Sequence, residues 1–203
     1  MEHTVNQITV RGSLQQLPVF SHENHGKKFY RFTLDVPRLS GTVDSLPVVA
    51  VEQTLNEIDL SGGEMLTITG QIRSHNVRSD GIRHLLIFIF ANSISAEGGD
   101  PINEVVLTGP ICKEPIFRRT PLGREICDVM LAVPRAFKRA DYLPCILWGR
   151  TAQDISACHV RDTISIQGRM QSRAYTKLTE DGPQERIAYE ISALSAEILE
   201  DYI

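Results

Sequence analysis

Val5-Asn6-Gln7-Ile8-Thr9-Val10-Arg11-Gly12 returns later in the chain as Ile102-Asn103-Glu104-Val105-Val106-Leu107-Thr108-Gly109, a shift of 97 residues. The register then holds. Pro18 and Phe20 fall on Pro115 and Phe117, and Gly26 falls on Gly123. Leu34-Asp35-Val36-Pro37-Arg38 falls on Leu131-Ala132-Val133-Pro134-Arg135, and Leu46-Pro47 on Leu143-Pro144. After a one-residue slip, Thr67-Ile68-Thr69-Gly70-Gln71-Ile72-Arg73-Ser74 meets Ser165-Ile166-Gln167-Gly168-Arg169-Met170-Gln171-Ser172, and Asp80-Gly81 later meets Asp181-Gly182. A register this long identifies a tandem duplication. Its joint is placed near Glu97-Gly98-Gly99-Asp100-Pro101, where turn formers cluster. The units are therefore residues 1–97 and 98–203.

Each unit reads as about five strands. Gln7 to Leu17 and Glu104 to Ile111 alternate loosely, while Lys28 to Val36 and Glu125 to Val133 alternate better. Third strands are expected over Leu46 to Val51 and Tyr142 to Trp148, fourth over Met65 to Ile72 and Thr163 to Met170, and fifth over Leu85 to Ile94 and Arg186 to Ile198. Ala152, Ile155, Cys158 and His159 stand at helical spacing after the third strand. Five strands with one short helix suit the OB-fold, a small Greek-key barrel, better than a seven-stranded sandwich. The fold class expected is all-β with short helices, as two tandem OB-fold barrels.

With 203 residues, 42% of them hydrophobic and 23% charged, the chain is a folded protein and neither disordered nor collagenous. Its longest apolar run, Leu85 to Ala91, is far short of the ~20 residues of a membrane-spanning helix. The opening Met1-Glu2-His3-Thr4-Val5-Asn6 has no basic cluster followed by an apolar stretch, so no secretory leader and a cytoplasmic location are expected. Cys112, Cys127, Cys145 and Cys158 form no C-x-x-C pair, which suits buried reduced thiols rather than a zinc or redox site. Phosphate-loop, dinucleotide, nucleophile-elbow and deaminase motifs are all missing, so neither an enzyme nor a cofactor is expected. His22-Glu23-Asn24-His25 is one residue short of H-E-x-x-H and reads as a solvated turn.

A net charge of −4 confines any nucleic-acid site to a local patch, and the second unit offers one. Alternation along its third strand sets Tyr142, Pro144, Ile146 and Trp148 on one face and Leu143, Cys145 and Leu147 on the other. The second set is a core face, and the first carries two large rings about 20 Å apart. Phe137 and Tyr175 stand in neighbouring segments. Arg118, Arg119, Arg124, Arg135, Lys138, Arg139, Arg150, Arg169, Arg173 and Lys177 surround them. Rings among cations suit a single nucleic-acid strand, because every base has a π-face to stack and a phosphate to neutralise. Core capping or a subunit contact is the other use such rings can have.

The second unit resembles the bacterial single-stranded DNA-binding protein family along nearly its whole length. The resemblance lies in Asn103 to Gly109, Thr120-Pro121-Leu122-Gly123, Leu131 to Arg135, Asp141 to Ala152 with its Leu147-Trp148-Gly149-Arg150 core, Gly168 to Tyr175, and Tyr189-Glu190-Ile191. It implies that Phe137, Tyr142, Trp148 and Tyr175 stack on bases, with Lys138, Arg150, Arg169, Arg173 and Lys177 as phosphate neighbours. It further implies single-stranded DNA as partner during replication, recombination or repair, replication proteins as further partners, and four OB-folds per particle. A chain with two would reach that number as a homodimer. Val49 and Val51, on an open face of the first unit, would favour such burial. Relatives usually end in an acidic, partner-recruiting tail, whereas this sequence closes on Glu197-Ile198-Leu199-Glu200-Asp201-Tyr202-Ile203. The other reading the resemblance allows is a primosomal or accessory relative that chiefly docks proteins.

The first unit departs from the family where the rings stand, having Ser40, Ser45, Val51 and Val77 there. It also carries eight Lys or Arg against thirteen in the second. It reads as a degenerate, mainly structural copy.

Overall fold

The computed structural model describes residues 5–79, 82–179 and 182–199. Asp80-Gly81, Asp181 and the closing residues 200–203, used in the sequence reading, lie outside them. The first barrel contains β1 (Val5–Leu14), β2 (Val19–Asn24), β3 (Lys27–Pro37), β4 (Val43–Val51), the four-residue α1 (Glu52–Leu55), β5 (Met65–Ser79) and β6 (Ile82–Ser95). The second repeats the order as β7 (Ile102–Pro110), β8 (Ile116–Arg119), β9 (Glu125–Arg135), β10 (Arg139–Trp148), α2 (Gly149–Ile155), β11 (Thr163–Thr179) and β12 (Gly182–Leu199).

Antiparallel hairpins supply most of the pairing, and one parallel contact per unit, β4 with β6 and β10 with β12, marks the Greek-key crossover. The first barrel closes where Ser13 and Leu14 pair with Asp35 and Leu34. In the second, a bridge from Ile111 to Leu131 does this. Leu14, Leu34, Leu46, Ile68 and Ile89 fill one interior, and Leu107, Leu131, Leu143, Leu147 and Ile166 the other, all fully buried. The core face expected of Leu143, Cys145 and Leu147 is the observed one. Ile146 points to the opposite face and is nevertheless buried, because β12 pairs beside it there.

Three differences from the sequence reading have local causes. Each unit has a sixth strand, β2 or β8, which pairs only with the following strand and whose residues are all exposed. Lacking a buried face, these strands leave no alternating pattern. His22-Glu23-Asn24 accordingly belongs to β2, and the turn is His25-Gly26, both at positive φ (49° and 71°). The hairpins β5–β6 and β11–β12 also run seven to nine residues past the expected fourth strands, as arms extending beyond the barrels. Finally, Cys127, Cys145 and Cys158 are buried thiols as expected, whereas Cys112 is only half-buried. Burial pushes the Cys127 thiol up to about 11, with Asp128 adding to it, so it stays protonated and inert. No helix among the described residues is long and apolar enough to cross a membrane.

The duplicated halves meet across β1 and β7, which pair antiparallel from Val5 with Thr108 to Arg11 with Ile102, joining both barrels into one 12-stranded sheet. Ile8 pairs with its own repeat counterpart, Val105, so the seam has pseudo-two-fold symmetry. Asn6 and Asn103 repeat one device there. The Asn6 side chain donates to the Ile72 carbonyl (2.8 Å) and accepts from the Ile72 amide (2.8 Å), and Asn103 treats Met170 likewise (2.7 and 2.9 Å).

Two carboxylates lock the barrels together on either side of the seam. Asp44, wholly buried, accepts from Arg38 (2.7 and 2.5 Å) and, across the interface, from the Ser172 amide (2.7 Å) and hydroxyl (3.0 Å). Its counterpart Asp141, equally buried, accepts from Arg73 (3.0 Å) and the Ser74 amide (2.8 Å) of the first barrel, while the Ser74 hydroxyl accepts from the Tyr142 amide (2.7 Å). Burial pushes the Asp44 carboxyl up, but Arg38 and the Ser172 donors outweigh it and hold the group below the usual carboxylate range. A carboxyl depressed in the folded state gives stability that is complete above its unfolded value near 3.9 and is lost as pH falls through the folded value. Thermal melts should therefore lose stability on acidification below about pH 4. In the variant Asp44→Ala, which leaves the Ser172 amide unpaired and Arg38 with only the Ser172 carbonyl (3.1 Å), stability at pH 7 should fall by on the order of 3 kcal/mol.

Candidate nucleic-acid interface

β10, β12 and β11 lie side by side and present one outward face from the second barrel. The register makes its membership explicit. Arg169 pairs with Ser192, Gln171 with Glu190, Arg173 with Ala188 and Tyr175 with Arg186 on the β11–β12 ladder, while Ile146 pairs with Ser192 from β10. Paired and alternate residues share a side. Tyr142, Trp148, Tyr175, Arg169, Arg173 and Lys177 therefore stand together on this face. Tyr142, Trp148 and Tyr175 expose 43%, 36% and 38% of their surface, enough to present a ring while keeping its base anchored.

Each ring is held differently. Trp148 ends β10, and its indole N–H donates to the Ser192 hydroxyl (3.1 Å), which fixes the plane of the indole on the sheet. Gly168 makes this seat possible. It lies at the bulge of β11, and a Cβ there would stand 2.3 Å from the Ser192 carbonyl oxygen. Tyr175 has the Arg173 guanidinium 5.9 Å from its ring centre. Arg173 in turn reaches the buried Glu190 (3.4 Å), which also accepts from the Gln171 side-chain Nε2 (2.9 Å). The Arg173 guanidinium is thus shared between Glu190 and the Tyr175 ring. Arg169 is half-buried with its Nε unpaired among the described residues.

Phe137 and Lys138 are brought close to each other but not onto the sheet face. They form the β9–β10 turn at φ 63° and 54°, with Phe137 93% exposed. Left-handed backbone at two non-glycine residues costs about 1–2 kcal/mol each, so the fold spends stability to raise this ring at the tip. Arg150 is exposed in the first turn of α2, just beyond Trp148. Of the wider ring of cations, Arg118 and Arg119 sit on the edge strand β8 and are paired with Asp128 (2.6 Å) and Glu125 (2.8 Å), and Arg135 lies 3.5 Å from Asp141. The two exposed pairs on β8, and the buried carboxylate beside Arg135, weaken the call of these cations on an outside anion.

Sequence reading missed Arg186, which the hairpin register sets opposite Tyr175, and Ser192, the partner of Trp148. The turn formers Asp181-Gly182 could have given the hairpin register and hence Arg186. Nothing in the sequence marks Ser192. Three rings able to stack on flat π-systems, with Arg169, Lys177 and Arg186 able to meet anions, suit a flexible polyanion with exposed planar groups.

Comparison with known proteins agrees. A family model described as the single-strand binding protein family matches residues 102–199. Single-stranded DNA-binding protein B of Bacillus subtilis is 38% identical over 80 residues, covering 36% of this chain and 71% of that protein. The single-stranded DNA-binding protein of Bacillus cereus is 31% identical over 106 residues, covering 49% of this chain and 61% of its own length. The second of these relatives is thus spanned for less than two thirds of its length. Among solved structures, the wild-type single-stranded DNA binding protein from Thermus aquaticus aligns with a TM-score of 0.79 at 20% identity, over 97% of this chain and 94% of that one. At that identity the likeness establishes the fold, two barrels in one chain.

Proposed function

The chain belongs to the single-strand binding protein family, and from that premise we propose that it binds single-stranded DNA on the outer face of its second barrel. The observation that carries this reading is the clustering of Tyr142, Trp148 and Tyr175, half-exposed on one sheet face among Arg169, Lys177 and Arg186. Bases stack on the rings, the backbone phosphates meet the cations, and the raised Phe137 with Lys138 gives one further contact at the β9–β10 tip. Binding of this kind needs no sequence readout, since the π-face is common to all bases. Covering a strand this way protects it during replication, recombination or repair, a role for the cytoplasm and the nucleoid. The reaction is binding alone, with no catalysis and no cofactor.

Trp148 is the only tryptophan, so its fluorescence reports this face directly. Poly(dT) should quench it, with log affinity falling against log salt by roughly 0.7 per phosphate neutralised. Trp148→Ala should cost on the order of 1–3 kcal/mol of binding, measured by anisotropy of a labelled oligomer, and leave the melting temperature nearly unchanged. Val51→Ala, at the matching position of the first barrel, should lower stability and spare the affinity for a short oligomer. A flat salt response, or tighter binding to duplex, contradicts the reading.

We also propose the homodimer, which would gather four barrels. Its support is the half-buried apolar pair Val49 and Val51 on the first barrel, of which Val49 also lines the cleft between the barrels. Light scattering coupled to gel filtration should give a mass near 45 kDa, twice the 22.7 kDa of the chain. A mass near one chain at micromolar concentration contradicts the dimer.

A further inference from the structure

The outer face of the first barrel lacks rings where the family has them, but it does not lack rings. In the second barrel Ile126 on β9 pairs with Trp148 on β10. In the first, the same cross-strand pair is Phe29 on β3 with Val51 on β4. Ring and aliphatic side chain have changed strands. The bulges repeat as well, Gly70 beside Ala91 and Gly168 beside Ala193, and they align Phe90 with Ser192 and Phe88 with Glu190. The two positions that steady Trp148 and Arg173 in one barrel therefore carry rings in the other.

These rings form a connected set. His22 lies flat on Phe29, with ring centres 4.6 Å apart and planes 4° apart. Phe29 meets Phe90 at 6.4 Å, and the Arg73 guanidinium sits 5.9 Å from the centre of Phe90. Phe29, Phe88 and Phe90 are all half-buried, each keeping an accessible part.

A cleft of about 1860 Å³ leads to this face from the second barrel. Its walls include Pro144 and Tyr175 of the second barrel and His22, Val49 and Phe88 of the first. Among the described residues Arg31, Lys177 and Arg186 line it, with Arg135 already 3.5 Å from Asp141, against one lining carboxylate, Asp35, which accepts from the Ser45 hydroxyl (2.6 Å). In a chain of net charge −4, three cations beyond that pair against one lining carboxylate mark a surface for an anion. Arg135 is half-buried with its Nε unpaired among the described residues.

Resting on the function proposed above, we infer that single-stranded DNA leaving the second barrel at Tyr175 continues through this cleft and is held a second time on the relocated rings of the first barrel. Phe88 and the His22–Phe29 stack receive bases, and Arg31 meets the backbone. The first barrel is then a second binding surface, not only a structural copy.

Oligo(dT) of two lengths tests this on the full chain, with about 12 nucleotides fitting one barrel and about 35 exceeding two. Phe88→Leu keeps the apolar volume and removes the ring, and Arg31→Gln removes an exposed charge. With Trp148 fluorescence as readout, the double variant should bind the short strand like the parent and the long strand on the order of tenfold more weakly. Its salt slope on the long strand should be smaller by roughly 0.7. Equal losses on both lengths, or none on the long one, overturn the inference. So does a drop in particle mass by light scattering, which would make the face a contact between copies. If Phe88→Leu lowers the melting temperature, the single variant Arg31→Gln is read by the same criteria. Failure of the parent to respond to either length would instead remove the binding function itself.

Discussion

Two charged carboxylates out of water, one on each side of the seam between the barrels, set the geometry on which the remaining surface depends. An isolated buried carboxylate costs several kcal/mol, and each of these is tolerable only because a partner barrel supplies the missing donors. Asp44 needs the Ser172 amide and hydroxyl, and Asp141 needs Arg73 and the Ser74 amide. Neither barrel alone satisfies its own carboxylate fully. With the β1–β7 ladder between them, the two halves form one body in which strand faces, clefts and arms have fixed relations.

The duplication shows how one backbone holds two surfaces. Pairing, bulges and crossovers match in both halves, as do the Asn6 and Asn103 bridges, because these answer to backbone hydrogen bonding and cannot drift without a large cost. The outer face has no such obligation, and the halves have diverged there. One places Trp148 against Ile126, the other Val51 against Phe29. Large rings are kept on each face at different positions. The other outward side of the joined sheet, where Thr69 meets Ser93, Thr108 meets Ser165 and Arg11 meets Thr67, is mainly polar and carries no aromatic ring among the residues paired there.

The fold was legible because repetition in the sequence doubled every signal. The Gln7 to Leu17 strand alone is weak evidence, but the same pattern 97 residues on turned it into a unit. The ring face was legible too, since Tyr142 and Trp148 stand an even number of residues apart on a strand whose alternate positions are apolar. Hidden from the sequence was whatever depends on crossing between strands. Ser192 meets Trp148 and Glu190 steadies Arg173 through contacts that local pattern does not encode. Sequence matching, strand by strand, also made the first unit look stripped of its rings, because it compared Val51 with Trp148 and could not see Phe29 beside Val51.

Photo-crosslinking with single strands carrying 5-iododeoxyuridine, followed by mass spectrometry of the attached peptides, tests the placement of the strand most directly. The account predicts adducts on Tyr142, Trp148 or Tyr175 in the second barrel. Adducts confined to the polar sheet face around Thr9, Thr69 and Gln167, or no adducts in the 139–148 and 169–177 segments, would contradict it.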